Sequence, residues 1–260
     1  MKTKYAVNFL IVVFFIVMGV ASTFVRAEGL CYSTGFERPT FMPGQLDLQD
    51  GWRNPQKTAL ILPAHPLSGK QSIRVFGNKL NKVGEQFGTR FGRLFFYDAT
   101  DKTVDVSVDA KLDGPSTDTG LGESDDLISA NLDLLLADDM MRPVFIGALL
   151  LSSSGDVWVY DSDGQHLNNV PVDLGEHHRL GARIDFSERK VYFSVNGDYV
   201  TTLPIKEAIT TNILAIAALS MFTASEDRIS ERFFNRNLYN AYYDDYCVAT
   251  TDCEIQCLPE

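Results

Sequence analysis

The stretch ARIDFSERKVYFSVNGDYVTTL, residues 182–203, decides the fold. It holds three runs in which apolar and polar residues alternate, the period with which strand side chains turn to opposite faces. Asn196-Gly197 separates the last two runs. That pair readily takes the positive backbone angles of a two-residue type I′ hairpin. Ser187-Glu188-Arg189-Lys190 forms the other turn. The stretch therefore predicts three consecutive antiparallel strands.

The same pattern extends outward. In Thr103–Leu112 (TVDVSVDAKL), Val104, Val106, Val108, Ala110 and Leu112 share one face, and Asp105, Ser107, Asp109 and Lys111 the other. Residues 127–136 (LISANLDLLL) and 143–151 (PVFIGALLL) are more apolar throughout, as expected for central strands. Residues 156–160 (DVWVY) alternate again and end in the turn Asp161-Ser162-Asp163-Gly164. Helix is scarce: one turn over 205–210 and a short helix over 225–234. Asp113–Ser124 is a polar, glycine-rich loop. Many short strands with frequent turns predict an all-β fold, a two-sheet antiparallel jelly-roll β-sandwich.

Residues 1–27 read as a secretory signal, with Lys2 and Lys4 before an apolar run and cleavage after Ala27. The run spans about 16 residues, short of the roughly 20 that cross a bilayer. Residues 28–260 then form one jelly-roll domain of a secreted protein, with no later membrane span. The net charge is −11, and loss of Lys2, Lys4 and Arg26 takes it to −14. That balance argues against nucleic acid, which demands a basic patch, and favours divalent cations. The four cysteines, Cys31, Cys247, Cys253 and Cys257, lie at the two ends of the mature chain. In an oxidising compartment they predict two disulfides rather than a zinc site.

Two stretches carry a family likeness: GFERPTFMPGQLDLQDGWR (35–53) with SGKQSIRV (68–75), and GEHHRLGARIDFSERKVYFSVNGDYV (175–200). With ALLLSSSGDVWVYDSDG and the closing YYDDYCV, their order resembles secreted bacterial proteins of the concanavalin A-like lectin/glucanase superfamily, LamG-like in type. The resemblance implies a two-sheet jelly roll and, more weakly, a polysaccharide or glycan partner. Its first and last strands, Cys31–Glu37 and Tyr242–Ala249, would then be neighbours. Cys31, Ser33, Gly35 and Glu37 would share a face, as would Tyr243, Asp245 and Cys247. Carbohydrate-binding modules with such an opening and closing hold a structural calcium. By that resemblance Glu37, Asp244 and Asp245 are the candidate ligands, with Asp50 another. Two registers stay open. Cys31 opposite Cys247 gives Cys31–Cys247 and Cys253–Cys257. Glu37 opposite Asp245 brings Cys31 to Cys253 and leaves Cys247 for Cys257.

Catalytic signals are weak. The superfamily's glucanase motif of three acids on one strand is missing. GESDDL (122–127) comes nearest, without a third acid and within a loop. Asp105 and Asp109 stand about 13 Å apart along one strand, beyond the ~5–9.5 Å of glycosidase pairs. His177 and His178 read as structural residues before a hairpin strand. Binding asks less. Trp158 and Tyr160 share a strand face, and Gln165 and His166 follow within the next turn, with Asn168 and Tyr192 as possible neighbours. These four, Trp158, Tyr160, Gln165 and His166, are the expected glycan-binding residues of a non-catalytic lectin-like protein. A polysaccharide-active enzyme or a structural envelope protein is the alternative.

Overall fold

The computed structural model describes residues 29–63, 67–76, 86–113, 127–224 and 240–258. The leader over 1–27, the acidic residues of GESDDL and the short helix expected over 225–234 lie outside the described residues.

Two antiparallel sheets make a sandwich. One has nine strands. Its path runs β14 (Asp198–Pro204), β13 (Lys190–Val195), β12 (His177–Asp185), β7 (Thr103–Asp113), β16 (Asn240–Thr250), β5 (Ser72–Phe76), β4 (Ala59–Leu62) and β2 (Gly44–Gln45), with β1 (Cys31–Thr34) also paired to β16. The other has seven, in the order β11 (His166–Pro171), β10 (Asp156–Asp161), β9 (Pro143–Ser152), β8 (Leu127–Ala137), β15 (Ile213–Ala224), β6 (Gln86–Asp98) and β3 (Trp52–Arg53). The expected hairpins are β12–β13–β14, with Asn196 and Gly197 at φ 55° and 90° as a type I′ turn requires. Over 205–210 the chain makes a single turn, closed by the Ile209 amide donating to the Lys206 carbonyl at 2.9 Å.

Alternation sorts each strand between core and outside. Val104, Val106 and Val108 of β7 meet Leu132, Leu134, Leu149 and Leu151 of β8 and β9 in one apolar core. Trp52, fully buried, closes the end of that core against Phe36, Phe91 and Tyr246.

β16 (NAYYDDYCVAT) carries the closing tyrosines and acids. Along one edge it pairs with β7. Along the other it pairs with β5 through Asn240–Tyr243, then with β1 through Tyr246–Ala249. Asp244 and Asp245 fall at the handover, where Asp245 takes φ 45° and the register to β7 shifts. A bulge adds a residue on one strand and breaks alternation. Tyr243 and Tyr246 therefore both enter the core, three residues apart, while Cys247 packs with Ala249 and Cys257 in a separate cluster. Strict alternation over Tyr243, Asp245 and Cys247 does not hold. The two core tyrosines span the sandwich: Tyr246 donates to the Ala217 carbonyl and Tyr243 to the Ser220 carbonyl, while Tyr243 accepts from the Asn131 amide.

The disulfides are Cys31–Cys253 and Cys247–Cys257. This is the second of the two pairings, reached through a register between the two considered, with Cys31 opposite Ala249. β1 ends at Thr34 and Phe36 turns to φ 57°, so the strand does not run on to Glu37. The C-terminal tail lies on the outer face of the nine-stranded sheet. Ser107 donates to the Cys257 carbonyl at 2.8 Å, and Leu258 sits so close over Gly181 that a Cβ there would meet it at 2.6 Å.

Candidate functional site

The seven-stranded sheet turns one face outward, and two groups of side chains meet there. Val157 and Val159 enter the core, so Trp158 and Tyr160 point away from it and stay half-buried. His166, on the neighbouring β11, joins them. Ring centroids lie 5.0 Å apart for Trp158–His166, 5.7 Å for Tyr160–His166 and 6.3 Å for Trp158–Tyr160, all at tilted angles. The three make a continuous aromatic surface. Gln165 lies exposed in the turn before β11, its backbone bonded both ways with Asp161. Asn168 instead donates to the Val200 carbonyl. Tyr192 is on the other sheet, opposite Thr202, and donates to Glu188.

Beyond Leu150, which stands between Trp158 and Asn131, a polar row crosses the same side of the sheet. Ala130, Leu132 and Leu134 of β8 face the core, which turns Ser129, Asn131 and Asp133 to the sheet's other side, where all three are nonetheless buried. Arg90 of β6 pairs with Asp133 at 2.8 Å. Ser220 of β15 donates to Asp133 at 2.8 Å and accepts from the Asn131 side-chain amide at 3.0 Å. The Ser129 hydroxyl and the Asn131 side-chain oxygen are buried without a hydrogen-bond partner. Each such group costs about 1–3 kcal/mol, so this face holds polar groups that folding alone does not satisfy. The sequence carried a signal for them: three polar residues at every second position of an otherwise apolar strand. Reading LISANLDLLL only as a more apolar, central strand passes over them.

A chain with these sheets can be set beside known proteins. No family model matches it, and no curated protein matches it in sequence. Solved structures do. An endo-β-1,4-glucuronan lyase from the fungus Trichoderma reesei aligns over 87% of this chain and 98% of its own, with TM-score 0.53 and 9% identity. The basic winged bean lectin aligns over 86% and 98%, with TM-score 0.48 and 10% identity. The fold is that of the concanavalin A-like jelly rolls.

Within this jelly roll the other candidates take structural places. Asp105 and Asp109 pair with Arg183 and Arg179, each at 2.7 Å. His178 is buried between the Asp173 carbonyl and the Asn196 side chain, while His177 is exposed. Asp50 is held by Arg93 and Tyr32 instead of joining the acid pair. At a cavity bordered by Asp138, Asp139 and Lys206, Asp138 pairs with Arg142, Lys206 pairs with Asp163, and Asp139 accepts from the Thr210 hydroxyl.

Asp244 and Asp245 gather at Gly35: a Cβ placed there would lie 3.2 Å from an Asp245 oxygen and 3.7 Å from an Asp244 oxygen. Asp244 is fully buried and accepts from the Ser68 amide at 2.9 Å and the Asp245 amide at 3.0 Å. Glu37 is engaged nearby by the amides of Lys70 and Gln71. Among the described residues no three His, Cys, Asp or Glu side chains stand close enough together to hold a metal.

Burial pushes the Asp244 carboxyl up to about 7, and the charge on Asp245 adds to the rise, against the pull of those amides. The folded chain therefore holds this proton more tightly than the unfolded chain. The stability that this proton supports is complete below the ordinary carboxylate range and is lost as pH rises through about 7. In calcium-free buffer, the stability difference between the parent chain and Asp244→Asn should move against the parent from pH 4 to pH 8. Denaturant titrations across that range check it; a difference constant with pH would contradict it.

Proposed function

We propose that the chain is a secreted, non-catalytic carbohydrate-binding protein that holds glycan on the outer face of its seven-stranded sheet. The partly exposed aromatic surface of Trp158, Tyr160 and His166 carries this reading. Sugar rings present apolar C–H faces, and a tilted, partly wet aromatic cluster supplies both stacking area and polar edges. The fold supports it, since the Trichoderma reesei relative in shape is, by name, a lyase of a polysaccharide. The leader pattern and the two disulfides support secretion. Asp133 and Asp156 are carboxylates in the middle of this face, with Asp98 at its far edge opposite Ile213. Asp133 and Asp156 stand two strands and four residues apart, about 16 Å, too far for a glycosidase pair. Retention on insoluble polysaccharides, with reducing-end and unsaturated products measured in the same tubes, tests the reading. Retention without products, falling at least tenfold in Trp158→Ala, is the expected result. Product release would overturn the non-catalytic reading, and retention unchanged in Trp158→Ala would overturn the site.

We further propose a structural calcium at Asp244 and Asp245, with Glu37 close by. Two carboxylates beside a glycine, one of them buried and in no ion pair among the described residues, are the support. The oxygen donors suit a hard cation, and backbone carbonyls would have to complete its six to eight ligands. Millimolar calcium should then raise the unfolding temperature by several degrees in the parent chain and by none in Asp244→Asn. An equal response in both would count against the site.

A further inference from the structure

We infer that Cys31 is a thiol-modification site: a small external thiol attaches reversibly to its sulfur, Cys253 departs as the leaving sulfur, and Cys247–Cys257 stays closed. The two disulfides share one cluster, since Cys253 packs against Cys247 and Cys257. They differ in access. Cys247 and Cys257 keep 5% and 2% of their exposure, whereas Cys31 is exposed and Cys253 half-buried. Thiol–disulfide exchange requires a thiolate to reach one sulfur of the bond it breaks. Access therefore selects first the bond and then the sulfur.

The leaving side is prepared as well. The Ile255 amide donates to the Cys253 sulfur at 3.3 Å. That hydrogen bond strengthens when the sulfur becomes a thiolate. A donor to the charged form lowers a thiol's pKa, and a lower pKa speeds departure. The step balances. The external thiolate forms a bond to Cys31 Sγ, the Cys31–Cys253 bond breaks, and its electron pair goes to Cys253. Attack by the Cys253 thiolate on the Cys31 adduct expels the external thiol and restores the disulfide.

Other contacts hold both ends while the bond is open. The Leu30 amide donates to the Thr250 hydroxyl at 2.9 Å, and the Thr250 amide to the Leu30 carbonyl at 2.8 Å. The Cys253 amide donates to the Thr250 carbonyl at 2.9 Å. The Ser107 bond to Cys257 and the seat of Leu258 over Gly181 keep the tail on the nine-stranded sheet. Opening unties β1 from the tail and removes the long closure, yet leaves both sheets in place. The adduct is a folded chain with a lower unfolding temperature.

The test treats the full, oxidised chain with excess reduced glutathione in mildly alkaline buffer. Samples are quenched in acid, free thiols are blocked with N-ethylmaleimide, and all four cysteines are mapped by mass spectrometry, with circular dichroism followed alongside. Glutathione on Cys31 and maleimide on Cys253 should appear at least tenfold faster than any label on Cys247 or Cys257. The sheet signal should stay intact and the unfolding temperature of the product should fall. Ile255→Pro, which lacks the amide N–H, should slow the opening severalfold, while Ile255→Ala keeps the parent rate. Glutathione on Cys253, labels on all four cysteines together, loss of the sheet signal before labelling, or no adduct at all would each overturn the inference. Equal opening rates in the two Ile255 variants would overturn the part given to the amide.

Discussion

Replacing Cys31 and Cys253 together by serine is expected to lower the unfolding temperature by about 10–20 °C. Their disulfide joins residues 222 apart and so closes nearly the whole described chain into one loop. Confining the unfolded ensemble that strongly is worth about 5 kcal/mol on the chain-entropy argument. In a domain of this size each kcal/mol moves the midpoint by roughly 2–4 °C. Cys247–Cys257 spans a separation of only 10 and sits in a small cluster with Ala249. The same argument gives it about 3 kcal/mol, so the Cys247→Ser/Cys257→Ser pair should fall by clearly less. Scanning calorimetry on both double variants and the parent decides the order. Equal losses, or a larger loss from the short loop, would show that local tail packing outweighs the long closure.

Trp52→Ala should cost about 3–5 kcal/mol, the range for deleting a large buried aromatic. Trp52 is fully buried and touches Phe36, Phe91 and Tyr246, with ring centroids 5.0–6.2 Å away. Its indole N–H donates to the Tyr32 hydroxyl at 3.0 Å, and that hydroxyl donates onward to Asp50 at 2.7 Å. Arg93 covers the Tyr32 ring at 4.4 Å and closes the chain of contacts on Asp50. The alanine variant thus opens a cavity and removes a donor at once. Trp52→Phe keeps most of the ring volume and loses only the donor, so it should cost about 1–2 kcal/mol. Urea titrations of the two variants check the pair. A loss below 1 kcal/mol in Trp52→Ala would mean that this end of the core collapses without it.

Most of the sandwich was legible because period-two alternation and the Asn196-Gly197 turn are local signals. The strands at 103–112, 127–136, 143–151 and 156–160 and the hairpins over 182–203 all fall where the pattern places them. The bulge at Asp245 was not legible. It arises because two different strands, β5 and β1, compete for one edge of β16, a fact of topology that no neighbouring residue announces. That bulge turned Tyr243 inward and displaced the face assigned to the acids. The register of β1 was hidden for the same reason, which left two disulfide pairings open. Of the site, Trp158, Tyr160 and His166 were legible from spacing and do come together. Arg90, Asn131 and Ser220 were not. They sit on three strands far apart in sequence, and only the sheet order brings them to Asp133.

The most direct test of glycan binding on this face uses the chain's own fluorescence. The chain holds two tryptophans, Trp52 fully buried in the core and Trp158 partly exposed on the aromatic surface. Titrating hexasaccharides into the full chain should shift and saturate the emission of Trp158, with the change absent in Trp158→Phe and intact in Trp52→Phe. An emission spectrum that no glycan alters, or one that responds identically in Trp158→Phe, would contradict the account.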